Sequence, residues 1–94
     1  MSLAKVLTDV ANERARQHQK WGQQDHQPER WLVILGEVFG NVCSIVKEDC
    51  GSELYYEVQA AAEYRKELVQ VAAVVVAAIE SHDRLMAQLE RLSL

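Results

Sequence analysis

Few side chains in this 94-residue chain could do chemistry, and most of them stand alone. His18 and His26, with Asp25 beside the second, are the obvious place to look for a metal, but their spacing matches no recognised ligand pattern. Hydrogen bonds that hold a local loop account for them better. Cys43 and Cys50 are seven positions apart and lack the C-x-x-C spacing of a zinc or redox motif, so free thiols in a reducing compartment are expected. His82 follows an apolar run and is expected to be exposed. No Ser or Cys sits in a recognisable nucleophile setting, so covalent catalysis has no support in the sequence. Among fourteen acids, Glu37 and Glu67 fall on predicted helical surfaces, where a carboxylate is ordinarily solvated.

The elements that must position these groups are helical. Leu3, Val6, Leu7, Val10 and Ala11 recur at three- and four-residue spacing, with Lys5, Asp9, Asn12, Glu13 and Arg16 on the other side, which predicts an amphipathic helix from Ser2 to about Gln19. Gly22 and the polar run Gln23-Gln24-Asp25-His26-Gln27 interrupt it. Pro28 suits the first position of a second helix, with Glu29 in its favourable first turn. There Trp31, Leu35, Val38, Val42 and Ile45 form one stripe, widened by Leu32, Phe39 and Val46, and the pattern runs to about Asp49. Glu37, Asn41, Ser44 and Glu48 occupy the opposite face.

After Cys50-Gly51-Ser52 a third helical stretch begins near Glu53 and runs to about Arg91, with room for one bend near Tyr64 or Ser81. Its β-branched middle, Val69, Val71, Val74, Val75, Val76 and Ile79, would also suit a buried strand. Flanking charges without Gly or Pro, and the lack of a partner strand, decide for helix. A helix apolar on nearly every side needs cover all round, which places Val71 to Ile79 at the centre of an oligomer. Leu85, Met86, Leu89 and Leu92 continue a narrower stripe that would pair with the first helix or a neighbouring subunit.

Composition sets the outer bounds. The length allows one domain over residues 1–94, and 49% hydrophobic residues with four Gly and one Pro suit a few long helices. A net charge of −4 with scattered Lys and Arg gives no reason to bind nucleic acid. The nine-residue run Val71 to Ile79 is far short of a bilayer span, and the N-terminus lacks the apolar core of a signal peptide, so a soluble cytoplasmic protein with no membrane partner is expected.

Four blocks carry a family likeness: Glu13-Arg14-Ala15-Arg16-Gln17; Lys20-Trp21-Gly22 with Gln24-Asp25-His26; Trp31-Leu32 with Ile34-Leu35-Gly36-Glu37 and Gly40; and Tyr64 to Ala73. Together they resemble the small phage and bacterial branch of the MazG-like nucleotide pyrophosphohydrolases. The loop block followed by W-L-x-I-L is the most specific part. The resemblance implies an all-α MazG-like bundle completed by homo-oligomerisation as a dimer or tetramer. It implies Mg2+-dependent cleavage of nucleoside triphosphates to monophosphate and pyrophosphate, in which the metal bridges phosphate oxygens to carboxylates on two packed helices.

The family's signature is Glu-x-x-Glu on one helix and Glu-x-x-Asp on the next, with another Glu just before the first pair. Over this chain the adjacent acid is Glu37, the implied catalytic residue. The first ligand falls on Val38, and the remaining metal positions on Asn41, Glu67 and Gln70. Three of four carboxylates are gone, and neutral amides offset the dehydration of a hard dication poorly. Mg2+ is expected to bind weakly and only with nucleotide, or not at all. Asn41 and Gln70 would then serve as buried hydrogen-bond partners. Lys20, Trp21 and Asp25 are the implied nucleotide-binding residues; Trp21 would stack on a base or sugar, or pack against its own core. The two expectations for function are a weakened or silent pyrophosphohydrolase and a non-catalytic helical module for nucleotide sensing or protein interaction.

Overall fold

A computed structural model describes residues 2–45 and 58–93, and these form three helices: α1 (Leu3–Trp21), α2 (Pro28–Ile45) and α3 (Val58–Leu92). No strand occurs among the described residues, so the β-branched run is helical. The all-α expectation holds. α1 runs two residues past its expected end, and α3 is unbroken at Tyr64 and Ser81. The expected end of the second helix near Asp49, the Cys50-Gly51-Ser52 break and the start near Glu53 lie outside the described residues.

Local chemistry explains the helix ends. Ser2 caps α1, its hydroxyl accepting from the Lys5 N–H at 3.2 Å. Gly22 closes the helix by donating its N–H to the His18 carbonyl at 2.7 Å, at φ 72 and ψ −169, a conformation open essentially to glycine alone. Six residues later Pro28 opens α2, with the Arg30 and Trp31 N–H groups donating back to the Gln27 carbonyl.

α3 is the hub: α1 and α2 each pack on it and scarcely meet one another. Asp9 pairs with Arg65, and Gln17 reaches the Gln70 carbonyl, so α1 runs in the same sense as α3. α2 runs back, because Pro28 lies beside His82 and Leu85 while Trp31 packs on Val74 and Ala77. The α2–α3 seam is the apolar one, with Trp31, Val74 and Ala77 buried and Ile34, Leu35, Val38 and Ala78 packed around them.

The α1–α3 seam is polar, contrary to the amphipathic reading of α1. Its contacts are Asp9–Arg65 at 2.8 Å, Arg14–Glu80 at 2.7 Å and the buried Gln17, whose amide donates to Glu13 and to the Gln70 carbonyl. Leu3 and Leu7, expected to face the core, are 72% and 57% exposed. The register is set by charge pairs further along α1, which turn the N-terminal stripe outward. Met86, Leu89 and Leu92 are likewise exposed, so the last turns of α3 do not pair with α1.

Candidate functional site

The crevice between α1 and α2, floored by α3, holds a cavity of about 290 Å3. Each helix contributes a periodic face. Arg14, Gln17 and Trp21 come from α1 at three- and four-residue spacing, and Arg30, Ile34 and Glu37 follow the same rule on α2 beside Trp31 and Val38. Val74 and Ala77 of α3 form the floor, and Gly22 and Gln24 of the loop close one side. The result is an apolar base with a polar rim.

Its charge is inverted relative to a metal site. Two guanidinium groups, Arg14 and Arg30, share the lining with one carboxylate, Glu37. Arg14 is anchored through Nε to Glu80 Oε1 at 2.7 Å, a bond that leaves its two terminal nitrogens as further donors. Arg30 is exposed and makes no ion pair among the described residues. Trp21 is 51% exposed at the mouth, and Lys20 Nζ lies 5.0 Å from its ring centroid, a cation–π contact on one face of the indole. Of the two alternatives for Trp21, packing into its own core is therefore not what the fold shows; the buried indole is Trp31.

Trp31 is 5% exposed, stacks edge-on against His26 with centroids 4.9 Å apart, and leaves its buried Nε1–H without an acceptor among the described residues. A buried donor left unsatisfied costs about 1–3 kcal/mol.

The residues implied by the resemblance are only partly brought together. Glu37, Val38 and Trp21 line the cavity, and Lys20 adjoins it through Trp21. Asn41 is exposed, Glu67 and Gln70 are half-buried, and none of the three lines the cavity. Asn41 is therefore not a buried hydrogen-bond partner, and among the described residues Gln70 contributes its backbone carbonyl, to Gln17. Among the described residues no group of three or more His, Cys, Asp or Glu side chains converges. One carboxylate facing two guanidiniums is a poor donor set for magnesium, which takes hard anionic oxygens and is repelled by neighbouring cations.

Asp25 belongs to a separate polar notch, formed with Gln23, Ser81, Arg84 and Gln88. Arg84 Nε donates to Asp25 Oδ1 at 2.7 Å and Gln23 Nε2 to Oδ2 at 2.9 Å. The Gln23 hydrogen bond, then Arg84, hold the Asp25 carboxyl below its usual range. The His26 N–H donates to Ser81 Oγ at 3.3 Å, so backbone and carboxylate contacts, not histidine side-chain hydrogen bonds, fasten this loop to α3. His18 and His82 are exposed, as is the free thiol of Cys43; Cys50 lies outside the described residues.

Comparison with family models, with curated proteins and with solved structures finds no match to this chain. Arg14, Gln17 and Trp31 fall inside the blocks that carry the likeness and Arg30 outside them, yet the sequence assigned none of the four a place in the site. Their signal is the shared helical face they form with Trp21 and Glu37.

Proposed function

We propose that this chain is a MazG-like helical module that binds a nucleotide in the three-helix cavity and does not hydrolyse it. The observation that carries the reading is the lining: Arg14 and Arg30 for phosphate oxygens, the open face of Trp21 for a base, and an apolar floor. Trp21, Gly22 and Gln24 of the Lys20 to His26 block line this cavity, which supports a ligand-binding role for that part of the block. Calorimetry across common nucleotides, paired with a pyrophosphate-release assay in magnesium, tests it. Binding without release above background is expected; robust magnesium-dependent release lost in Glu37→Gln would replace the silent module by an active pyrophosphohydrolase, the reading that Glu37 on the cavity wall favours.

The module works as an assembly of identical copies. An apolar groove between α2 and α3 is lined by Leu32, Leu35, Val75, Ala78 and Ile79, and Leu32 and Ile79 are 69% and 54% exposed. A second copy seated on this groove is the simplest cover, in a reducing cytosol where Cys43 stays a thiol.

A further inference from the structure

We infer that the cavity takes a nucleoside monophosphate directly, with the arginines standing where a metal would otherwise neutralise the phosphate. This rests on the nucleotide reading above and names its ligand class. Three features of the lining converge on it. A metal-bridged phosphate needs carboxylates, yet the wall offers Glu37 alone, with Val38 in place of a second acid. Arg14 and Arg30 supply planar donors that meet phosphate oxygens without a bridging ion, and Arg14 is pre-oriented by its bond to Glu80. The volume, about 290 Å3, sits at the lower edge of the roughly 300–1,000 Å3 usual for ligand sites. That is room for one ring system and one phosphate.

The rest of the lining fits the non-ionic part of such a ligand. Trp21 has one face under Lys20 and stands half exposed at the mouth, where a heterocycle can stack. Ile34, Val38, Val74 and Ala77 offer the apolar floor on which the ring edge rests, and Gln24 adds a polar group from the loop.

Glu37 makes the inference decidable, because its effect has opposite signs in the two cases. Beside a directly bound phosphate it repels; beside a metal it attracts. The experiment titrates the full chain with the mono- and triphosphates of adenosine and guanosine by calorimetry, once with EDTA and once with magnesium, and repeats this for Glu37→Gln and Arg30→Gln after circular dichroism confirms folding. The expected result is binding that EDTA leaves within about twofold, that Glu37→Gln tightens by about threefold, and that Arg30→Gln weakens by about tenfold. Binding that EDTA abolishes or Glu37→Gln weakens would overturn the direct mode while leaving a nucleotide pocket in place, as would binding of triphosphate alone. An Arg30→Gln variant of unchanged affinity also overturns it. Failure of every nucleotide to bind, with or without magnesium, overturns the nucleotide reading itself.

Discussion

At the scale of single residues, the four positions that the resemblance would assign to metal ligands lie in different environments. Val38 packs at the edge of the Trp31–Val74–Ala77 core, Asn41 faces outward, and Glu67 and Gln70 sit half-buried away from the cavity. Glu67→Ala should therefore leave nucleotide affinity within about twofold, whereas Trp21→Ala, which removes a stacking face at the mouth, should weaken it by about 1–3 kcal/mol, both read by calorimetry. A marked loss in Glu67→Ala would return that acid to the site. The carboxylates also set a pH dependence. Lys5 and then Arg65 lower the Asp9 pKa from its ordinary value of 3.8, and the Arg16 hydrogen bond lowers that of Glu13 from 4.5. Asp25 is lowered in the same way by Gln23 and Arg84. A carboxyl depressed in the folded state contributes stability that is fully present above its unfolded value and lost as pH falls through the folded one. Thermal melts should thus be flat down to about pH 5 and decline below it. Combined Asp9→Asn and Asp25→Asn should flatten that decline; a melt that rises on acidification would contradict the assignment.

At the scale of elements, the loop between α1 and α2 decides whether the cavity exists, because α1 and α2 are held apart by α3 rather than by each other. Gly22 turns the chain, and a Cβ there would meet nothing within 4 Å, so any penalty for substitution is purely conformational. Gly22→Ala should cost about 1–3 kcal/mol in chemical denaturation, the strain of placing a side chain in that backbone region. Ser81 is 4% exposed and accepts the His26 N–H, so Ser81→Ala should cost about 1 kcal/mol and loosen the loop without disturbing α3, visible as faster amide exchange at His26. Unchanged exchange there would show that Arg84–Asp25 alone fastens the loop. The helices themselves were legible from three- and four-residue apolar spacing, and Gly22 with Pro28 marked the turn to within two residues. How α1 faces α3 was not legible. Its apolar stripe, Leu3 to Ala11, pointed to a buried face, but Asp9–Arg65, Arg14–Glu80 and Gln17 with the Gln70 carbonyl fix the seam. Such pairs join positions more than fifty residues apart, and no local periodicity announces them. The cavity followed the same pattern: Glu37, Val38 and Trp21 could be found from motif spacing, whereas Arg14 and Arg30 needed the knowledge that α1 and α2 flank one crevice.

At the scale of the whole molecule, the second copy proposed above would complete the packing of the single chain. α3, 35 residues and so roughly 52 Å long, carries two shorter helices that cover part of its surface. The apolar residues left over are ordered rather than scattered. Leu68, Val75, Ile79 and Met86 recur at seven- and four-residue spacing along one side of α3; on α2, Leu32 lines the same groove as Val75 and Ile79, and Phe39, seven residues on, is also exposed. This face is distinct from the cavity, whose floor is Val74 and Ala77, so association and ligand binding can be separated by mutation. A charge at the centre of a buried apolar contact is costly, while on an exposed helix face it is tolerated. Ile79→Glu with Phe39→Glu should therefore convert a self-associated species into a folded monomer of equal helicity, as judged by light scattering and circular dichroism at micromolar concentration. Nucleotide affinity should survive this change, since neither residue lines the cavity. A wild-type chain that scatters as a monomer across this range would remove the second copy as the occupant of the groove, and a double variant that stays associated would move the interface to the exposed Leu3–Leu7 end of α1.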